Sequence, residues 1–210
     1  MYKKMAAATM IIGVMIMLFP LANDFYGGYQ QKRLLASYHN PIKEKENIQK
    51  QFLDLDQIFF NYSQENVSFV INENVIKNAT ALGVLKIPAI DATLPIVEGA
   101  DEASLEFAAG HIPGTAMPGN IGNAAIAAHR SFKYGKLFNR LNEMAKGNEI
   151  IIETTHQSFI YKVKNSFLVL PEDVHVLAPS EDTSILTLIT CHPMKNPTHR
   201  LIVQAELVNP

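Results

Sequence analysis

The chain has a single cysteine, Cys191, among its 210 residues, and this thiol stands near the end of an apolar stretch. Residues 184–192 are mainly apolar or β-branched, which is typical of a buried strand, and Pro193 cannot continue a hydrogen-bonded ladder. A second strand pattern, residues 201–207, begins directly after Arg200. Two neighbouring strands joined by a short loop would place Cys191 and Arg200 at the same end of a sheet.

A thiol is a useful nucleophile only as a thiolate, so Cys191 needs a cationic or basic neighbour. Of the seven histidines, His129 is a candidate because it also follows a strand pattern of small and apolar residues. The guanidinium of Arg200 carries five donors that suit a developing oxyanion or a substrate carbonyl. Spacing alone does not select this trio, because histidines at strand ends are commonly solvated loop residues.

Two other functions are compatible with the same residues. A metal-dependent hydrolase would use His129, His192 and His199 with Cys191 as ligands. The sequence has neither a His-x-x-x-His pair nor a Cys-x-x-Cys motif, which argues against that reading. The other alternative is a non-catalytic, membrane-tethered β-module for adhesion or assembly.

The elements that must position these side chains are short strands separated by glycine and proline, starting near Thr80. The pattern predicts an all-β fold with short helices, either a closed barrel or a sandwich. The predicted strands are residues 83–88, 92–97, 123–130, 149–154, 158–163, 166–170, 184–193 and 201–207. The predicted short helices are residues 102–107 and 137–144, and residues 108–114 and 118–120 are predicted loops.

The N-terminus predicts a membrane anchor. Lys3 and Lys4 precede an uncharged apolar run, residues 5–22, which is about long enough to cross a bilayer. The run ends in Pro20-Leu21, a poor signal-peptidase site, so we expect an uncleaved signal anchor over residues 1–25. The two lysines favour an internal N-terminus and a single-pass protein whose main domain is extracellular.

Between anchor and strands, residues 26–78 predict a partly helical stalk or linker, with the domain boundary near Asn78. Apolar residues between Ile42 and Phe60 recur at helical spacing. This helix either packs on the following domain or covers its active groove, and the sequence leaves both open. Residues 79–210 form the predicted catalytic domain.

The composition sets limits on partners. Apolar residues make up 48% of the chain and the formal net charge is −2. No basic stripe with interleaved aromatic residues occurs, so a nucleic-acid partner is not expected. An exported chain with one cysteine has no internal disulfide, which favours a thiol kept for chemistry.

Several segments resemble the sortases, the membrane-anchored cysteine transpeptidases of Gram-positive cell walls. Thr187-Leu188-Ile189-Thr190-Cys191 matches their TLxTC pattern, and Ala128-His129-Arg130 resembles the segment that holds their catalytic histidine. Further similar segments are Gly83–Pro88, Gly110–Thr115 and Thr198–Leu201. The similarity runs from about Gly83 to Val208 and implies a closed eight-stranded sortase-type β-barrel.

The resemblance implies Cys191 as nucleophile, His129 as acid/base partner and Arg200 as the cation that holds the oxyanion or orients substrate. It implies thioacyl transfer from an LPxT-type sorting motif to an amine, with hydrolysis as a side reaction. The partners would be surface proteins with a C-terminal sorting signal and a cell-wall precursor amine. His111 matches a loop histidine of the family and is interpreted as structural. His192 is interpreted as a surface loop histidine, and the alternative is that it tunes the thiolate electrostatically.

The subclass is a separate expectation. The chain ends at Pro210 and has no Asp-Pro dipeptide, which favours a wall-anchoring enzyme, class D-like or class A-like. A pilin-polymerising sortase that uses a pilin lysine is the alternative. No cofactor is expected. Four acidic loop residues could bind calcium, but acidic loops are usually solvated: Glu172, Asp173, Glu181 and Asp182.

Overall fold

The computed structural model describes Met10 and residues 17–18, 27–29, 31–32, 48–63, 81–131 and 136–209. The predicted anchor, most of the predicted stalk and its boundary near Asn78 lie outside these residues and stay predictions. Among the helices that the structure does describe, none is both long and apolar enough to span a bilayer.

Eight strands form a closed barrel in the order β1-β2-β3-β4-β7-β8-β6-β5, with β5 paired to β1. The strands are β1 Ala81–Ile87, β2 Ala92–Glu98, β3 Ala109–His111, β4 Gly122–Ala127, β5 Glu149–Glu153, β6 Ser158–Val169, β7 Ser184–His192 and β8 His199–Asn209. Within residues 48–63 and 81–209, as far as the structure describes them, the α-helices are α1 Ile48–Ser63 and α2 Glu102–Leu105, and 3₁₀ turns cover Pro88–Ile90, Leu141–Glu143 and Val174–Leu177. The closed eight-stranded barrel confirms the predicted fold class.

Two pairs of strands are parallel, β2 with β3 and β4 with β7, and the others are antiparallel. The β4–β7 pair sets the site because it aligns Ala127 with Ile189. The antiparallel β7–β8 pair then aligns Cys191 with Arg200. The ends of β4 and β7 and the start of β8 therefore meet at one rim of the barrel.

Side chains alternate between the two faces of these strands, as the pleat requires. On β4, Ala124 and Ile126 enter the barrel core, whereas Ala125 and Ala127 face outward. The outward side chains join a second apolar cluster that contains Cys191. Small residues on β4 thus leave room on the outer face of the sheet.

Helix α1 packs on that outer face. Leu55 and Phe59, four residues apart on one side of the helix, are 0% and 2% exposed and belong to the second cluster. Asp54 and Phe60 lie on its exposed side. In the described part of this segment, from Ile48 onward, the predicted helix therefore packs on the domain, and the next subsection shows that it also lies over the groove.

Three local predictions were wrong. Residues 109–111, predicted as loop, form β3, and the two strands predicted at 158–163 and 166–170 are one strand, β6. Residues 137–144 are not an α-helix, because Leu137 has φ +48 and only a 3₁₀ turn, Leu141–Glu143, follows. Side chains three residues apart lie on the same side of a 3₁₀ helix. The buried residues of this segment have that spacing: Phe138, Leu141 and Met144.

Gly119 provides a test of barrel packing. Its backbone N–H donates to Tyr161 Oη over 2.7 Å, its φ is +91, and an added Cβ would lie 2.1 Å from the buried Phe159 ring. We expect Gly119→Ala to lower the free energy of unfolding by about 3 kcal/mol, from strained backbone and overpacking together. Gly147→Ala is the matched control, with φ +90 and no atom within 4 Å of the added Cβ. Equal losses in urea unfolding of the two variants would contradict the packing argument.

Candidate active site

Three strand ends bring Cys191, His129 and Arg200 together. Cys191 and Arg200 are register partners on β7 and β8. His129 and Cys191 each stand two residues beyond the aligned pair Ala127 and Ile189 of the parallel strands. The predicted trio therefore lies on one rim, and its members are 0% to 2% exposed.

The two threonines before Cys191 fix the ends of these strands. Thr190 Oγ1 donates to the carbonyl of Ala128 over 2.8 Å, which ties β7 to the residue preceding His129. Thr187 Oγ1 donates to Asn123 Oδ1 over 2.7 Å, and Asn123 Nδ2 donates to Val176 O. Both threonines are fully buried, so each hydroxyl needs such a partner. The Thr-x-x-Thr-Cys spacing thus holds the nucleophile strand and the 3₁₀ turn above it.

A second network lies beside the thiol. Arg130 Nη1 donates to His192 Nδ1 over 2.9 Å, and Arg130 Nη2 donates to Asn142 Oδ1 over 2.7 Å. Asn139 Nδ2 donates to the carbonyl of Ser131. The residue after His129 is therefore bonded to the residue after Cys191. His192 is the last residue of β7 and not a free loop histidine, which favours the tuning alternative over the surface one.

Helix α1 covers the site. Arg200 Nη2 lies 2.7 Å from Asp56 Oδ1, and the Arg200 guanidinium lies 5.7 Å from the centre of the Phe59 ring. Burial lowers the pKa of Arg200, whereas the charges of Asp56 and Cys191 raise it. Burial raises the pKa of Asp56, and Arg200 opposes that shift. The Asp56 carboxylate of this chain thus forms an ion pair with the guanidinium that is expected to hold the substrate.

His129 is enclosed by two aromatic rings of the same helix. Tyr62 stacks on the imidazole with ring centres 3.8 Å apart and planes within 10°, and Phe59 meets it edge-on at 5.5 Å. Among the described residues, neither ring nitrogen of His129 has a hydrogen-bond partner. Complete burial lowers the pKa of His129 to about 3, so the imidazole is neutral in this arrangement.

Cys191 experiences opposing influences. Burial raises the pKa of the thiol, and a hydrogen bond with the backbone of Arg130 and the positive charge of Arg130 lower it. The side chain of Thr190 also lowers it. Because burial raises the pKa of the thiol more than these contacts lower it, the covered site favours the neutral thiol beside a neutral imidazole.

A cavity of about 440 Å³ remains between α1 and the barrel rim. Cys191 and Arg200 of the barrel and Asp56 and Phe59 of α1 line it. The other lining residues are Gln57, Phe60, Pro171, Pro197 and His199.

His111 has no contact with this site. It is 2% exposed, with Nδ1 at 2.9 Å from Glu98 Oε2 and Nε2 at 3.0 Å from the carbonyl of Ala116. Both ring nitrogens face acceptors, so this histidine fastens the loop after β3 to β2. The geometry agrees with its structural interpretation.

Metal ligation is not favoured by the described side chains. Within residues 48–63, 81–131 and 136–209, no group of three or more His, Cys, Asp or Glu side chains converges on one point. His192 is engaged by Arg130, and His199 Nδ1 lies 2.9 Å from Thr198 Oγ1.

The sequence did not single out Asp56, Phe59, Tyr62 or Asn142. The helical spacing of apolar residues around Phe59 was visible, but nothing in a linear pattern indicates which surface the helix covers. The Arg130 contacts depend on strand pairing between segments that are distant in the chain.

Comparisons with known proteins agree with this geometry. The sequence model of one family, described as the sortase domain, matches residues 85–208. Sortase D of Bacillus subtilis (strain 168) is 30% identical over 131 residues, which are 61% of this chain and 64% of that protein.

Two solved structures are similar over most of this chain. Sortase A from Corynebacterium diphtheriae, a lid mutant, has a TM-score of 0.60 and 30% identity, covering 78% of this chain and 95% of that one. A Clostridium perfringens sortase D5 transpeptidase has a TM-score of 0.57 and 29% identity, covering 78% and 100%.

Proposed function

Because this chain belongs to the sortase family of cysteine transpeptidases, we propose that it cleaves an LPxT-type sorting motif and transfers the acyl group to a cell-wall amine. The observation that carries the proposal is the convergence of three strand ends. Cys191 pairs with Arg200 across β7 and β8, and His129 continues β4 beside β7.

In the proposed acylation, the Cys191 thiolate attacks the threonine carbonyl of the motif. A carbon–sulfur bond forms, the oxygen becomes an oxyanion, and Arg200 donates hydrogen bonds to it. When the oxyanion collapses, the peptide C–N bond breaks and His129, as imidazolium, protonates the leaving amine. The products are a thioacyl-enzyme and the released C-terminal segment.

In the second half, an amine attacks the thioester carbonyl and neutral His129 accepts its proton. The carbon–sulfur bond breaks, which regenerates the Cys191 thiolate and forms a new amide. Water in place of the amine gives the hydrolytic side reaction. The two steps need His129 in both protonation states, so its pKa must be closer to neutrality than in the covered site.

Access therefore requires α1 to move. Phe59 and Tyr62 lie against His129, and Asp56 forms an ion pair with Arg200. A peptide therefore cannot contact the whole trio while the helix is in place. Displacing α1 exposes the imidazole and releases the guanidinium together. The covered structure is a resting form of the proposed enzyme.

We further propose a wall-anchoring, class D-like enzyme, held at the membrane by residues 1–25 with its catalytic domain outside. The similarity to a sortase D and to a sortase D5 transpeptidase supports the subclass. Lys3, Lys4 and the apolar run after them support the location.

The direct test is a covalent adduct. We expect incubation of the protein with peptides containing Leu-Pro-x-Thr-Gly to add the mass of the acyl fragment to Cys191, detected by mass spectrometry. Cys191→Ala should form no adduct, and Phe59→Ala, which weakens the cover, should form more than the unaltered protein. A folded Phe59→Ala protein that forms no adduct with any sorting peptide would contradict the proposed function.

A further inference from the structure

Arg130 is a buried cation whose bonded side-chain partners are uncharged. It is 8% exposed and donates to His192 Nδ1, Asn142 Oδ1 and, over 3.4 Å, to the carbonyl of Asn139. An imidazole nitrogen, an amide oxygen and a carbonyl orient a guanidinium without neutralising it. The charge of Arg130 therefore acts on whatever anion lies nearby.

That anion is the thiolate of Cys191. Arg130 bonds at 2.9 Å to His192, the residue that follows Cys191, and both the backbone and the charge of Arg130 lower the pKa of the thiol. The position follows from the fold, because Arg130 and His192 directly follow His129 and Cys191 on two parallel segments. The side-chain bond between Arg130 and His192 links these two segments beyond the last pair of β4 and β7.

His192 acts on Arg130 through its tautomer. A guanidinium only donates, so His192 Nδ1 must accept and the ring must be neutral. Partial burial and the neighbouring charges of Arg130 and His199 lower the pKa of His192, which keeps the ring in this state. Protonated His192 would lose the bond and repel Arg130.

The other charged and titratable groups around Cys191 act differently. On β8, Arg200 is paired with Asp56 of α1 at 2.7 Å, so its charge is matched in the covered site. Burial raises the pKa of Tyr62, which therefore stays neutral near the sulfur. Arg200 and Cys191 also interact electrostatically, but Arg130 is the cation whose charge lowers the pKa of the thiol in the covered site.

We infer that Arg130 is a second cation that stabilises the Cys191 thiolate, and that His192 is the positioning residue that aims it. The inference rests on the proposed function only in taking Cys191 as the nucleophile. It divides the work between two arginines, since Arg200 acts on the substrate oxygen and Arg130 acts on the sulfur.

The test is a thiolate titration, which needs no substrate. Cys191 is the only cysteine, so the pH dependence of thiolate ultraviolet absorbance, after subtraction of a Cys191→Ala titration, reports this one group. We expect Arg130→Met to raise the midpoint by about one pH unit. Arg130→Lys, which keeps the charge, should give a smaller rise, and His192→Phe, which removes the acceptor, should also raise the midpoint.

Lys162→Met is the control, because Lys162 on β6 is half-exposed, lies 3.9 Å from Glu149 and should leave the midpoint unchanged. An unchanged midpoint in folded Arg130→Met would overturn the inference. Should that variant not fold, His192→Phe decides, and an unchanged midpoint there has the same meaning. A Cys191→Ala protein that still transfers acyl groups would instead overturn the proposed function, whatever the titrations give.

Discussion

Replacing Arg200 with methionine is expected to lower kcat/KM for a sorting peptide by about 10²–10³-fold. Methionine has a similar apolar stem but no donors, so the oxyanion loses its charged partner. Arg200 is 1% exposed and the side chains on its face of β7 and β8, Cys191 and Ile202, belong to the second apolar cluster, so the substitution should leave the barrel folded. Cleavage of a fluorogenic peptide measures the loss, and circular dichroism checks the fold.

Two further variants separate charge from geometry. Arg200→Lys keeps the charge but not the planar fork, and we expect it to recover less than a tenth of the activity. Lys162→Met removes a half-exposed charge from β6 and should change kcat/KM by less than twofold. A folded Arg200→Met protein within tenfold of the unaltered enzyme would show that another group holds the oxyanion.

The Phe59→Ala substitution weakens the packing of α1 over the site and is expected to raise kcat/KM by about tenfold or more. Truncating a buried phenylalanine costs a packed helix a few kcal/mol, and each 1.4 kcal/mol shifts the open fraction tenfold until the open form dominates. Asp56→Asn removes the carboxylate from Arg200 and should act in the same direction. Both gains should appear at peptide concentrations below KM.

The helix supplies its own control. Asp54→Asn removes a carboxylate from the exposed side of α1, away from Arg200. It should not raise kcat/KM by more than about twofold. Equal effects of Asp54→Asn and Asp56→Asn would contradict the idea that α1 limits access.

The titration of His129 reports the same event. Under α1 burial holds the pKa of His129 at about 3, below its ordinary 6.5, and exposure restores solvation of the imidazolium. We therefore expect the NMR midpoint of this histidine to rise toward 6.5 in Phe59→Ala. The His129→Gln spectrum identifies its signal among the seven histidines.

Much of the barrel could be predicted because its strands carry local signals. Alternating or β-branched runs between glycine and proline identified seven of the eight strands, with β6 divided in two. The division has a physical cause, since a register shift between Val163 and Asn165 interrupts the alternation. β3 is three residues long and contains Ala109-Gly110, which carry little strand preference.

The site was predictable to a different extent. Cys191 and Arg200 are joined by a short loop, so their meeting follows from local pairing. His129 was selected through the family resemblance, since β4 and β7 pair in parallel across a long separation. The cover and the Arg130 contacts depend on tertiary packing, for which a linear pattern carries no signal.

The parallel pairing of β4 with β7 also has a consequence for folding. Thr190 and Ala128, whose bond fixes the end of that pair, are 62 residues apart. Closing so long a loop is unfavourable until much of the native surface is already buried. Recovery of catalytic competence after denaturation should therefore coincide with completion of the barrel, so regained activity can serve as a probe of the last long-range step in folding.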